Sequence, residues 1–144
     1  MVRTPVIYAS LVLTLTSCAT VDKHANEAPA VENGHTIQIR GALSGQRQRI
    51  ATFYATAPDC RSLGYPTLKV AKAPQHGEVS VEEGVATAMF GENDPRRTCN
   101  GREVPATVIY YTSVPGFIGA DSVAFDRIGV EGAYGYHVYR INVR

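Results

Sequence analysis

Residues 111–126 read YTSVPGFIGADSVAFD, and this stretch is the one that decides the fold. Pro115 and Gly116 favour a turn, and the residues on either side alternate between apolar and polar types. Such alternation is typical of β-strands that bury one face, so the stretch predicts a strand, a turn and a second strand. We expect Phe117 to fill one end of the core and Asp121 to accept backbone N–H groups where the second strand begins.

The same pattern recurs throughout residues 35–144, and no stretch there has helical periodicity. Residues 77–90 predict a hairpin that turns at Glu82, Glu83 and Gly84. The fold class predicted is therefore all-β, an antiparallel β-sandwich of seven to eight strands. The strand-like segments are 35–41, 49–57, 67–73, 77–90, 106–114, 121–128 and 134–143.

The N-terminus predicts export. Arg3 precedes an apolar run over residues 5–15, which is too short for a helix that crosses a bilayer core of about 30 Å. Residues 1–17 are instead typical of a secretory signal peptide. The segment LTSC at residues 15–18 resembles the bacterial lipobox, which implies that Cys18 is lipidated and becomes the first mature residue. An ordinary signal peptide that contains a cysteine is the alternative.

Residues 18–34 predict a flexible linker, because they lack apolar periodicity and are rich in Ala, Asn, Glu and Pro. Ala19 after the lipobox cysteine implies, by the same resemblance, a lipid anchor in the outer membrane. The chain has 14 Lys and Arg against 13 Asp and Glu, so it has no excess of basic residues to neutralise phosphates. We therefore expect a membrane partner through the anchor and no nucleic-acid partner.

Cys60 and Cys99 remain once Cys18 is lipidated, and two thiols in an exported chain predict a disulfide. A bridge that closes a loop of about forty residues stabilises a fold by roughly 4 kcal/mol in the chain-entropy description. A two-cysteine metal site is the alternative, although the sequence has no CxxC motif or adjacent histidine to complete it.

Three segments resemble the bacterial Ig-like, cadherin-like modules that are repeated in large surface proteins: LKVAKAPQHGEVSV, VIYYTSVPGFIGADSVAFD and the closing VYRINV. The sequence departs from the pattern of those modules at Ser113, Val123 and Phe125, which keep strand or turn chemistry. The resemblance implies an Ig-like sandwich that serves as a spacer, an adhesive unit or an interaction domain, without indicating a reaction. The matching positions are Pro74, His76, Gly77, Val79, Tyr111, Gly116, Phe117, Gly119, Asp121 and Ser122.

Motifs for catalysis are missing from the sequence: it contains no HExxH, GxSxG, P-loop or GxGxxG. We therefore expect no enzymatic activity, no catalytic residue, no bound metal and no cofactor. Calcium binding by Asp121 and Asp126 is an alternative to the structural role of Asp121, and a metal site formed by His76 and His137 is another. We expect His76 to be a turn residue whose imidazole bonds nearby backbone.

The candidate binding residues are Arg96, Arg97 and Arg102, which flank Cys99 in a long unpatterned loop, and Tyr136 in the last strand. Guanidinium groups held by a disulfide can bind carboxylates or phosphates in bidentate fashion, and a solvated polar loop is the alternative. The function that we predict is an envelope lipoprotein whose module has a structural, adhesive or protein-interaction role, with an unidentified envelope protein or cell-wall component as partner. A periplasmic binding lipoprotein like the lysozyme inhibitors is the alternative.

Overall fold

A computed structural model describes residues 30–32 and 35–144, so the predicted signal peptide, Cys18 and most of the predicted linker lie outside the described residues. Within the described part, no helix is long and apolar enough to cross a membrane. The structure is all-β, as predicted, and the short 3₁₀ turn Arg97–Cys99 is the only helical segment in these residues. The strands are β1 (Ala30–Glu32), β2 (His35–Ala42), β3 (Arg47–Tyr54), β4 (Thr67–Lys72), β5 (Gly77–Thr87), β6 (Glu103–Ser113), β7 (Gly119–Ile128) and β8 (Tyr134–Val143).

Two sheets form the predicted sandwich. One sheet has the order β1-β2-β8-β7-β4, and the other has the order β3-β6-β5. Strands β3-β6-β5 and β4-β7-β8 correspond to B-E-D and C-F-G of an immunoglobulin-type sandwich. The chain changes sheet after β2, β3, β4 and β6, so each of these loops crosses an end of the sandwich.

One pair of strands departs from the antiparallel pairing of the rest of the sandwich. β2 and β8 are parallel, in a register that runs from Thr36 opposite His137 to Ala42 opposite Val143. The reason is that β3 belongs to the other sheet, so β2 forms no hairpin with the strand that follows it. On the side away from β1, the neighbour of β2 is β8, which runs in the same direction.

The predicted hairpin at residues 77–90 was wrong. β5 is one continuous strand of 11 residues that pairs with β6 along its whole length, and Glu82, Glu83 and Gly84 lie within it. Gly84 fits the strand because its bare face packs against Val108, whose Cγ2 would lie 3.2 Å from an added Cβ. Pairing with a buried central strand thus outweighs the local preference of these residues for a turn.

The predicted linker ends earlier than residue 34. Ala30–Glu32 forms β1, which pairs antiparallel with the first residues of β2. The folded unit therefore includes residues that sequence composition assigned to the linker, because strand pairing there depends on backbone hydrogen bonds rather than on an apolar pattern.

The core lies between the two sheets and is built from both of them. Ile109 and Tyr111 of β6 face Val123, Phe125 and the apolar residues of β8, and these side chains are fully buried. Each such side chain contributes about 2–3 kcal/mol by leaving water. Phe117 packs against this core from one end of the sandwich, as predicted.

Candidate functional site

Asp121 is a structural residue. Its side chain is 8% exposed, Oδ1 accepts the N–H groups of Gln75 (2.9 Å) and Ser122 (2.8 Å), and Oδ2 accepts the N–H of His76 (2.9 Å) and the hydroxyl of Tyr111 (3.0 Å). Burial by itself raises the pKa of this carboxyl, but the four donors outweigh burial and hold the pKa below its ordinary value. The prediction that Asp121 accepts backbone N–H groups is confirmed.

The calcium alternative for Asp121 has no support in this geometry, because both carboxylate oxygens already face hydrogen-bond donors. Asp126 accepts the hydroxyl of Tyr134 at 2.6 Å and does not share the site of Asp121. Among residues 35–144 no group of three or more His, Cys, Asp or Glu side chains converges as metal ligands would.

Three further residues of the resemblance, His76, Gly77 and Phe117, pack at the same turn. The ring of His76 stacks on Phe117 with centroids 4.2 Å apart, rather than bonding the backbone as we expected. Gly77 has no room for a side chain, since an added Cβ would lie 2.7 Å from Cε2 of Tyr111 and 2.5 Å from the carbonyl oxygen of Thr112. These residues determine how β4 continues into β5, and they form no reactive group.

The opposite end of the sandwich carries the disulfide. Cys60, in the loop of residues 55–66, is bonded to Cys99 in the loop of residues 88–102, and their Cα atoms are 5.3 Å apart. This confirms the predicted bridge. Cys99 is fully buried, and Cys60 has a φ of 68°, a backbone conformation that side-chain-bearing residues rarely adopt.

Side-chain contacts order the loop of residues 88–102 beyond the disulfide. The Asn100 amide accepts the backbone N–H of Phe90 (2.7 Å) and donates to its carbonyl (3.0 Å). The hydroxyl of Tyr54 accepts the N–H of Met89 (2.7 Å) and donates to its carbonyl (2.9 Å), while its ring lies edge-on to Phe90 at 5.6 Å. The loop is thus tied to β3 as well as to Cys60.

The structure separates the three candidate arginines. Arg96 turns back onto its own loop, where it binds both oxygens of Asp94 (2.8 and 2.6 Å) and lies 4.5 Å from the centroid of the Phe90 ring. This pairing lowers the pKa of Asp94 to about 2. Arg97 and Arg102 are exposed. These two therefore present the charge of the loop to solvent.

Tyr136, the fourth candidate, lies apart from the loop of residues 88–102. It is half-buried on β8, and its ring lies 4.6 Å from that of His35 at the start of β2. The parity of β8 places Tyr134 and Tyr136 on the outer face and Tyr139 in the core, as the alternation predicted.

A cavity of about 130 Å³ lies at the disulfide end, between the loops of residues 55–66 and 129–133 and the side chain of Arg96. Arg127 also lines it, and so do Thr56 and Glu131. Sequence reasoning missed Arg127. The alternation of β7 could have indicated it. Arg127 lies on the same strand face as the buried Val123 and Phe125, so it is a cation that faces the interior.

His137 holds the Arg127 side chain in place. Arg127 Nε donates to Nε2 of His137 (3.3 Å), and the guanidinium lies 6.0 Å from the centroid of the Phe53 ring. Burial, and secondly the nearby Arg127 charge, lower the pKa of His137, so the imidazole is neutral and offers a lone pair to Arg127. His76 and His137 lie at opposite ends of the sandwich, so the structure does not form the histidine metal site that was the alternative.

Comparison with known proteins returned no match for this chain among protein-family models, curated proteins or solved structures.

Proposed function

We propose that this chain is a non-enzymatic envelope lipoprotein whose Ig-like module binds a partner through the disulfide end of the sandwich. One observation carries the proposal: the loop of residues 88–102 is long and unpatterned, yet it is fixed by the Cys60–Cys99 bond and by Asn100 and Tyr54. Loops of this length are commonly functional. A loop that is already ordered loses little conformational entropy on binding, which favours affinity.

The charge on this loop supports the same role. Arg97 and Arg102 are exposed on either side of the buried Cys99, so the disulfide holds the backbone that carries these two guanidinium groups. Arginine forms bidentate hydrogen bonds with carboxylates, and it is enriched where proteins bind one another. We therefore expect the partner to present acidic groups to this surface.

Lipid attachment at Cys18 is the part of the proposal that rests on the sequence alone, namely on the lipobox resemblance and the apolar run before it. Cell fractionation tests it: the unaltered chain is expected in the membrane fraction and the Cys18→Ser variant in the soluble fraction. Retention of Cys18→Ser in the membrane fraction would contradict a lipid anchor at this residue.

Site-specific photocrosslinking in intact cells tests the binding surface. A photoreactive residue replaces Arg97 in one variant and Ile118 in the matched control, because Ile118 is 74% exposed at the opposite end of the sandwich. We expect one discrete adduct from position 97 and none from position 118. Equal capture at both positions, or none at position 97, contradicts the proposed surface, and inhibition of lysozyme by the purified domain would favour the alternative function.

A further inference from the structure

We propose that the cavity at the disulfide end binds the carboxylate group of a small ligand or of a peptide chain terminus, with Arg127 as the residue that pairs with it. This inference rests on the proposed binding role of the same end of the sandwich. It adds a defined chemical group and a defined residue, neither of which belongs to the exposed arginines of the loop.

Arg127 is half-buried and has unused hydrogen-bonding capacity. A guanidinium carries five N–H donors in a planar fork. Nε donates to His137, but the Nη1 and Nη2 groups have no acceptor among residues 35–144. The free edge of the fork is the one that matches the two oxygens of a carboxylate.

The surroundings of Arg127 make room for its fork and fix its position. Gly129 and Gly135 flank the guanidinium, and a Cβ added at Gly135 would lie 3.0 Å from Nε2 of His137 and 3.7 Å from Nε of Arg127. Two bare backbone faces therefore leave the side chain its space, while Phe53 and His137 restrict how it moves. An arginine that is held before the ligand arrives loses little entropy when it binds.

Arg127 forms no ion pair with a carboxylate in the part of the chain that the structure describes. Asp94 is already paired with Arg96, and Glu131 lines the cavity without forming an ion pair with either arginine. A half-buried cation in this state favours an incoming anion, since its own hydration is already reduced. Thr56, which is 2% exposed at the cavity wall, has a hydroxyl without a partner among the described residues.

Size and charge favour a carboxylate over a phosphate. The volume of about 130 Å³ is below the roughly 300–1,000 Å³ of pockets that enclose whole drug-sized ligands, so the cavity admits one end group. A phosphate monoester carries about −1.5 to −2 charges at neutral pH. Such a group would exceed the single charge of Arg127, and Glu131, which also lines the cavity, would repel it more strongly than it repels a carboxylate of charge −1.

NMR of the arginine Nε–Hε groups tests this inference directly. The ¹⁵N-labelled protein is titrated with acetate, N-acetylglycine and inorganic phosphate up to about 100 mM, with sodium chloride as the ionic-strength control. We expect a saturable shift of the Arg127 Nε–Hε signal with both carboxylates, at lower concentration than with phosphate, and no saturation with chloride. Absence of saturation with carboxylates, or tighter binding of phosphate, would overturn the inference.

Variants separate the cavity from the exposed arginines. Arg127→Lys keeps the charge but loses the fork, so we expect carboxylate affinity to fall roughly tenfold. Glu131→Gln removes a like charge and should raise affinity several-fold, a result that still tests the cavity if Arg127→Lys fails to fold. Arg49→Gln is the matched control, because Arg49 is exposed on β3 and does not line the cavity; it should leave carboxylate affinity unchanged, while an equal loss in Arg49→Gln and Arg127→Lys would overturn the assignment.

The two proposals fail in different ways. If carboxylates do not bind but position 97 still captures a partner in cells, the binding surface stands and the carboxylate cavity is wrong. If carboxylates bind at Arg127 but position 97 captures nothing, the cavity is supported and the partner surface at the loop is contradicted.

Discussion

Asp121 connects three parts of the fold through one carboxylate. It accepts hydrogen bonds from the turn between β4 and β5, from Tyr111 on β6 and from the backbone of its own strand. Hydrogen bonds to a charged acceptor are stronger than those between neutral groups, at roughly 1.5–3 kcal/mol each where both partners are buried. Loss of the carboxylate therefore removes a hydrogen bond between the two sheets as well as the contacts that hold one turn.

We expect Asp121→Asn to lower the free energy of unfolding at neutral pH by about 2–3 kcal/mol. An amide keeps only one acceptor oxygen, and its NH₂ group would face N–H donors that have no other partner. Urea denaturation monitored by fluorescence gives the measurement. Asp126→Asn is the matched control, because Asp126 lies in the same strand and accepts a single hydroxyl from an exposed tyrosine, and it should cost less than about 0.5 kcal/mol.

The pH dependence of stability follows from the same carboxylate. Because the pKa of Asp121 is lower in the folded protein than in the unfolded chain, its contribution is complete above a pH of about 4 and is lost as the pH falls through the folded-state pKa. The unaltered protein should therefore lose more stability than Asp121→Asn over this acidic range. Parallel loss in the two proteins would contradict the role given to Asp121.

Gly77 is expected to tolerate no side chain. The Cβ of a Gly77→Ala variant would lie 2.5 Å from a backbone oxygen of β6 and 2.7 Å from the buried Tyr111 ring, so β5 would have to shift. We expect a loss of about 1–3 kcal/mol in the free energy of unfolding, measured by urea denaturation. Gly41→Ala is the control, since an added Cβ there meets nothing within 4 Å, and a similar loss in both variants would contradict a steric cause.

At the scale of elements, local patterns predicted most strands, and long-range pairing decided the exceptions. The alternation of residues 134–143 gave both ends of β8. Glu82, Glu83 and Gly84 favour a turn locally, but β6 offers a partner for every residue of β5, and that partner is distant in sequence. The parallel pairing of β2 with β8 could not be predicted from the sequence either. Strand segments alone do not show which sheet each strand joins.

The candidate site was predicted only in part. The two cysteines that remain in a chain expected to be exported predicted the disulfide, and the long loop around Cys99 is the one that carries it. Arg127 was missed because its importance depends on Gly129, Gly135 and His137, which contact it only in the folded chain. Arg96 could not be separated from its neighbours, because its pairing with Asp94 depends on how the loop turns.

The two elements joined by the disulfide should loosen together when the bond is removed. Cys60 and Cys99 are 39 residues apart, and a covalent loop of this length stabilises the folded state by about 4 kcal/mol in the chain-entropy description. We expect the double variant Cys60→Ala and Cys99→Ala to lose free energy of unfolding of this order. It should also show faster amide hydrogen exchange in residues 88–102.

Reduction of the unaltered protein provides the control for this prediction. Reductant should lower the stability of the unaltered protein to that of the double variant and should leave the double variant unchanged. A loss below about 1 kcal/mol would mean that the side-chain contacts of the loop, rather than the covalent bond, supply its order.

At the scale of the whole molecule, the two ends of the sandwich carry different kinds of residues. One end holds the turn fixed by Asp121, His76 and Phe117, and this end contains most of the residues on which the resemblance to bacterial Ig-like modules rests. The other end holds the disulfide, the exposed Arg97 and Arg102 and the cavity with Arg127, none of which belongs to that resemblance. The structural residues and the residues proposed to bind a partner are thus separated along the length of the strands.

β5 forms an open edge of its sheet at which a second copy of the chain could pair. β5 is the last strand of its sheet, and its 11 residues leave one row of backbone groups unpaired within the described structure. Such an edge can pair with the same edge of a second copy and so begin aggregation. Glu78 and Glu83 are exposed along it and would bring like charges together in any such pair, whereas Glu82 is already paired with Arg47 of β3.

Replacement of Glu78 and Glu83 by threonine, which favours strands and carries no charge, should therefore promote self-association, measured as growth of light scattering with protein concentration. Glu92→Thr in the loop is the control and should remain monodisperse; a monodisperse double variant would contradict this protective role. A lipid anchor would confine copies of the chain to a plane and raise their local concentration. The acidic edge of β5 would then keep neighbouring copies from joining their sheets on the membrane.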